Sequence, residues 1–207
     1  MMSYVPLSRV WLTFGDGPCE WTARIQDVLD ANGVKAIFFM CGKRARLRPD
    51  LVRRVVGAGH RVGSHGWSHE RLGGASAQRM EQEVCTSKEI LEEIGGQPVA
   101  QFLAPFCNTS AALEAVVQRA GMTCLDHKAA IDPRDWEEPG VEELVARVSR
   151  AVVKGTRAER PILLHDGKAD QLPVTADIQD EDRSQTVAAL PAIISLLRQH
   201  GVSIDLL

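Results

Sequence analysis

The sequence predicts an α/β protein in which strand and helix units repeat around a parallel sheet or barrel. Short apolar runs alternate with amphipathic stretches along the chain, the pattern that βα units leave in a sequence. Asp16, His65 and His165 each fall just after one of these runs, and in parallel βα architectures sites assemble at the carboxyl ends of the strands. The 207 residues read as one domain, 1–207, long enough to bury a full core without a staple or an obligate partner.

The first run, Val10 to Phe14, ends in Gly15-Asp16-Gly17-Pro18. Trp21, Ile25, Val28 and Leu29 then recur at helical spacing until Asn32-Gly33 stops the helix. Ala36 to Met40 is a strand, Asp50 to Ala58 a helix entered through Pro49, and Arg61 to Gly63 a short strand running into a histidine-bearing loop. The basic run Lys43, Arg44, Arg46, Arg48 reads as a solvated loop. Residues 76 to 94 read as a long helix, Gln101 to Leu103 as a strand, Ser110 to Ala120 as a serine-capped helix and Thr123 to Leu125 as a strand. Val141 to Val153 places Val141, Leu144, Val145 and Val148 on one helical face, and Pro161 to Leu164 is a strand ending at His165. Asp166 to Arg183, with Asp170, Asp177, Asp180, Glu181 and Asp182, is the one long loop, either a lid or binding segment or a plain surface excursion. Pro191 makes the last helix either start near it or kink, and Val202 to Leu206 closes the chain as a strand.

Composition excludes several classes. The net charge is −3 and the basic residues are otherwise scattered, so nucleic acid is not an expected partner. Cys19, Cys41, Cys85, Cys107 and Cys124 are odd in number, widely spaced and without a CxxC, which argues against a disulfide framework and a zinc knuckle. The amino terminus lacks the basic region and long apolar run of a secretory signal, and no stretch approaches membrane-spanning length. The expectation is a cytoplasmic protein with no membrane partner.

Two imidazoles and one carboxylate, from His65, His69 and Asp16, make a three-ligand set that leaves positions open for water and substrate, as catalytic rather than structural zinc sites do. A His-x3-His spacing is also what two neighbouring surface histidines show, so the spacing alone leaves both possibilities open. Cys19 and Cys107, close to these segments in sequence, read either as an extra soft ligand or nucleophile or, more simply, as small core filler. His60 and His127 lie outside the pattern and read as surface or satisfied core residues.

Five segments in order resemble the polysaccharide deacetylase family, also called the NodB-homology domain or carbohydrate esterase family 4, over about residues 8 to 206. Thr13-Phe14-Gly15-Asp16-Gly17-Pro18 resembles its Thr-Phe-Asp-Asp-Gly-Pro motif and Ser64-His65-Gly66-Trp67-Ser68-His69 its His-Ser/Thr-x-x-His motif. Phe102-Leu103-Ala104-Pro105-Phe106 stands where the family has Arg-x-Pro-Tyr, Asp132-Pro133-Arg134-Asp135-Trp136 resembles its Asp-Trp motif, and Leu163-Leu164-His165-Asp166 its terminal Leu-x-His motif. The resemblance implies a distorted (β/α)7 barrel that removes an acetyl group from an N-acetylated sugar. It further implies Asp16, His65 and His69 as ligands of one divalent ion, with zinc the default and cobalt, nickel or manganese accepted by the same donors. His165 would be the general acid and Asp135 the carboxylate that orients it. Pro105, Phe106 and Trp136 would form the substrate pocket, with the backbone N–H of Phe106 helping to stabilise the oxyanion.

Two positions depart from the family pattern. Gly15 stands where the family has the aspartate that acts as general base, and Leu103 where it has the arginine that pairs with that aspartate. Losing both leaves no stranded charge, whereas losing one would. A positioned base contributes ~10²–10⁴-fold in rate. The sequence therefore carries three alternatives. One is a metal-dependent deacetylase or amidohydrolase acting on an amino sugar or a small soluble carbohydrate-containing metabolite, its base drawn from elsewhere, such as the acidic loop Asp170 to Asp182. The second is a different tailoring reaction on a small metabolite, and the third a non-catalytic protein that binds metal and sugar.

Overall fold

The computed structural model describes residues 5–167 and 181–206. Among these, seven strands form one all-parallel sheet: β1 (Arg9–Gly17), β2 (Ile37–Met40), β3 (Arg61–Ser64), β4 (Gln101–Phe102), β5 (Thr123–Cys124), β6 (Glu159–His165) and β7 (Ser203–Ile204). The order is β5-β4-β3-β2-β1-β6, and β7 pairs with the beginning of β1. A single parallel bridge, Ile131 to Ile162, extends the sheet past β6. The helices are α1 (Glu20–Ala31), α2 (Gly42–Leu47), α3 (Pro49–Gly57), α4 (Ala77–Gly95), α5 (Ala111–Arg119), α6 (Val141–Lys154) and α7 (Ser184–Gln199). This curled parallel sheet with helices outside it is the distorted barrel that the family resemblance implies. No described helix is long and apolar enough to cross a membrane.

Strand periodicity sorts the side chains into two cores. Val10, Leu12 and Phe14 of β1, with Phe38 and Met40 of β2, join Ile25, Leu29, Val52, Val84, Leu144 and Ile193 in the layer between sheet and helices. The alternate residues Ile37, Phe39, Leu103, Leu125 and Leu163 form a smaller cluster inside the curl, with Trp11 against it. Because a strand repeats every two residues, this register puts Gly15 and His165 on the inner side at the ends of β1 and β6. The two are direct cross-strand partners.

The structure corrects the sequence at three places. The basic run read as a loop is instead the helix α2, and Arg44 is buried. A Cβ at Gly42 would lie 2.7 Å from Trp67 Cε3 and 2.9 Å from Ser87 Cα, so glycine lets this turn seat against α4 and the histidine loop. The Gly42 and Lys43 N–H groups donate to the Gly66 and Trp67 carbonyls at 3.0 and 2.9 Å. The last helix starts at Ser184 and runs through Pro191, which lies on its exposed face; the missing bond to the Val187 carbonyl falls near solvent, where it costs least. The closing strand shrinks to Ser203–Ile204 because only its first residues reach the edge of β1.

Candidate active site

Asp16 reaches the barrel mouth by breaking the strand pattern. Alternation would send it outward with Leu12 and Phe14, but the register shifts between Phe14 and Gly17 and Asp16 adopts φ 77°. Bulges of this kind re-aim a side chain. His69 and Phe106 also have left-handed backbones, with φ 58° and 55°. Each such non-glycine residue costs on the order of 1–3 kcal/mol and persists only where its surroundings over-determine it.

His65 follows β3 and is locked by its neighbours. Its Nδ1–H donates to the Leu103 carbonyl at 2.6 Å, which leaves Nε2 facing Asp16 Oδ1 at 3.0 Å. His69 Nε2 lies 3.1 Å from the same oxygen. The loop between the histidines is held by Glu83 of α4, fully buried: its carboxylate accepts from the Trp67 and Ser68 N–H groups, each at 2.9 Å, and from the Ser68 hydroxyl at 2.7 Å. Arg79 pairs with it at 2.8 Å. Sequence reading missed Glu83; the available signal was an acidic residue on the buried face that Met80, Val84, Ser87 and Leu91 define.

The donor atoms of Asp16, His65 and His69 all lie within 4.8 Å of one another, and all three residues are buried. Atoms roughly 2.0–2.1 Å from a common tetrahedral ion would be spaced at about 3.3 Å, close to the 3.0 and 3.1 Å that separate Asp16 Oδ1 from the two Nε2 atoms. Asp16 Oδ2 is buried and has no hydrogen-bond partner among the described residues, a cost that a cation would relieve. Burial works against ionisation of Asp16, yet its pairing with His65 and His69 holds the carboxyl well below the usual range. Burial pushes His65 down, towards the neutral form that ligates metals. The set fits a divalent ion.

His165 sits beside this cluster at the end of β6. Its Nδ1–H donates to Asp135 Oδ1 at 2.6 Å and its backbone N–H to Asp135 Oδ2 at 2.9 Å, while the Thr186 hydroxyl holds Oδ2 at 2.9 Å. Burial opposes protonation of His165, but the charge and hydrogen bond of Asp135 overcome it and raise the imidazole to about 9. With Nδ1 committed, the transferable proton is on Nε2. Thr186 is a second supporting residue that the sequence did not single out.

A cleft of about 460 Å³ joins these groups and is lined by Asp16, His65, His69, Leu103, Phe106, Trp136, Leu163 and His165, with Arg71 and Asp132 also on its wall. Trp136 is 46% exposed, as a residue at an open mouth should be. The Phe106 N–H donates to no group among the described residues. Pro105, predicted as a substrate contact, is instead buried, its Cγ 3.6 Å from where a Gly66 Cβ would lie, and it is not among the cleft-lining residues. It shapes the turn that presents Phe106.

Residues 5–125 match the polysaccharide deacetylase family. The chain belongs to that family. It is 33% identical over 191 residues to a peptidoglycan-N-acetylglucosamine deacetylase of Bacillus cereus, covering 92% of this chain and 82% of that one. It is 34% identical over 197 residues to a chitooligosaccharide deacetylase of Rhizobium leguminosarum bv. trifolii, covering 95% and 88%. A family 4 carbohydrate esterase from Streptomyces lividans, solved with acetate, superposes with a TM-score of 0.81 at 28% identity over 96% of this chain and 92% of its own. Two larger structural neighbours, at 23% and 22% identity, are spanned over 65% and 63% of their length, a likeness that speaks to the fold alone.

Within this deacetylase framework the two departures meet. A Cβ on Gly15 would lie 3.6 Å from His165 Cδ2, 3.7 Å from His65 Nε2 and 3.7 Å from Leu103 Cδ2, so the space for a base is present and its far wall is apolar. Of the acids expected to supply a substitute, Asp170, Asp177 and Asp180 lie outside the described residues. Asp182 caps the start of α7 through the Ser184 N–H at 2.8 Å, and Glu181 pairs with Arg183 at 2.7 Å. Asp166, pushed up to about 7 by burial, accepts from Thr22 at 2.6 Å and packs against Gly17, away from the cleft lining. Cys107 lines the cleft, but burial, Asp132 and Asp16 raise its thiol to about 11, which removes nucleophilic character. Cys19 is fully buried and caps α1. His60 is a core residue whose Nδ1 accepts the Ala36 N–H at 3.1 Å.

Proposed function

We propose that this protein is a metal-dependent hydrolase that removes the acetyl group from an N-acetylated amino sugar of an oligosaccharide, slowly because no carboxylate stands at position 15. The observation that carries the proposal is His165, protonated and tied to Asp135, in register with Gly15 and beside the Asp16, His65 and His69 cluster. The relatives named as chitooligosaccharide and peptidoglycan-N-acetylglucosamine deacetylases support an oligosaccharide over a small metabolite.

Asp16, His65 and His69 would hold the ion, zinc by the character of the donors, with cobalt, nickel or manganese accepted by the same set. What a bound divalent ion supplies there is Lewis acidity, towards the acyl carbonyl and towards a water whose pKa falls to roughly 7 with zinc. Leu103, Leu163 and Trp136 offer the acyl methyl an apolar wall. The uncommitted Phe106 N–H donates to the oxygen that gains charge at the tetrahedral stage. His165 gives its Nε2 proton to the departing amine nitrogen, and Asp135 keeps the imidazolium oriented meanwhile. Gly15 contributes no proton acceptor, so water activation lacks the ~10²–10⁴-fold that a positioned base provides.

Acetate release from a chitooligosaccharide by the zinc-loaded protein tests this; release should stop in His65→Ala and His165→Ala, and equal rates in parent and variants would refute it. The joint presence of Gly15 and Leu103 favours one second reading, a protein that keeps ion and cleft to bind sugars without turnover. Oligosaccharide binding with acetate release at background would select it.

A further inference from the structure

We propose that Arg71 selects an acidic substrate: its guanidinium, at the cleft mouth, receives a carboxylate carried by the reacting amino sugar or by the sugar next to it. The inference rests on the cleft being an N-acyl amino sugar site. Arg71 lines the cleft and is exposed. Its Cζ lies 4.4 Å from the Phe106 ring centroid, and that ring lies 4.6 Å from the His69 ring centroid. These two distances cap the separation of the guanidinium from the His69 ring at 9.0 Å, a reach that a substituent on the same or the adjoining sugar spans.

Stacking occupies one face of the guanidinium and leaves its N–H edges for in-plane acceptors, the arrangement that a carboxylate matches bidentately. It also limits the rotamers of a long side chain, so less freedom is lost when a ligand arrives. Among the described residues no ion pair engages Arg71. Neighbouring Glu70 is taken by Arg79, at 3.0 Å through Nε. Asp132, the acid on the same cleft wall, accepts the Arg134 N–H at 2.8 Å and makes no ion pair with Arg71. The cleft thus presents an oriented cation whose charge no described neighbour neutralises, within reach of the reacting centre.

The test is calorimetric titration of the zinc-loaded protein with two probes: an N-acetylglucosamine trimer, and the same trimer bearing an ether-linked lactyl carboxylate on one ring. The acidic trimer should bind about tenfold more tightly, the yield of one charge-assisted contact. That ratio should shrink with added sodium chloride, collapse in Arg71→Ala and be partly kept in Arg71→Lys, which retains the charge without the fork. Equal affinities in the parent, or a ratio that persists in Arg71→Ala, would overturn the assignment to Arg71 while leaving the amino sugar site standing. Binding of neither trimer would overturn that site and this inference together.

Discussion

Gly15→Asp tests whether water activation limits this site. The substitution needs no backbone change, because the Cβ would meet His165, His65 and Leu103 only at 3.6–3.7 Å, ordinary van der Waals separations, and Gly15 is not among the positive-φ glycines. The new carboxylate would stand beside His165, an imidazolium below about pH 9, and beside the apolar Leu103. We expect acetate release, measured as kcat/KM with zinc bound, to rise by about 10²-fold, the lower part of the range for a positioned base. The upper part is withheld because Leu103 gives the carboxylate no partner. Leu103→Arg alone should not accelerate the reaction, since it places a cation against Gly15 with nothing to pair it; the double variant should exceed Gly15→Asp. Should Gly15→Asp be no faster than the parent while zinc content and oligosaccharide affinity are unchanged, the view that the empty base position limits turnover is wrong.

Three further outcomes follow from the same geometry. Because the folded pKa of His165 is raised from 6.5 to about 9, its pairing with Asp135 stabilises the metal-free protein fully below about pH 6.5. That contribution, on the order of 3 kcal/mol, is lost as pH rises through 9, so thermal melts from pH 6 to 10 should decline more steeply for the parent than for His165→Ala, and the alkaline limb of activity should move to lower pH in Asp135→Asn. Glu83→Ala removes the acceptor for two loop N–H groups and for Arg79; unfolding titrations should show a loss of roughly 3 kcal/mol, with weaker zinc uptake as the histidine loop slackens. Zinc should raise the melting temperature of the parent, by about 4 kcal/mol of added stability at a thousandfold excess over Kd, and Asp16→Asn should abolish the rise; an unchanged melt in the parent would deny the ion site.

The parts of the fold legible in the sequence were those set by periodicity. The strands carrying Phe14, Met40 and Leu164 announced themselves as apolar runs, and Asp16 and His165, just after the first and the last of these, line the cleft. What stayed hidden was polar and long-range. Arg44 belongs to a helix dominated by charge, so composition pointed to solvent while Gly42 and the loop it docks on dictated burial. Glu83 and Thr186 hold His69's loop and Asp135 from elements distant in sequence, and no local pattern records which buried polar residue meets which partner. Arg71 looked like one scattered cation until Phe106, across the fold, was seen beneath it.

The energetic cost kept in this site argues that an ion is still part of its working state. Four non-glycine residues, Asp16, His69, Phe106 and Cys107, hold left-handed backbones at the same cleft, at on the order of 1–3 kcal/mol each. Asp16 Oδ2 is buried with no described partner, a further loss of about 1–3 kcal/mol. The sum is comparable with the whole stability of a domain, and packing alone gives no return for aiming these groups at one another. A cation between Asp16, His65 and His69 would recover the larger share. The paired departure at Gly15 and Leu103 fits the proposed function: the place of a base and of a cation to face it holds neither, while Asp16, His65 and His69 still converge and His165 is still tied to Asp135. Under that proposal the site differs from the family pattern at one chemical step, the activation of water.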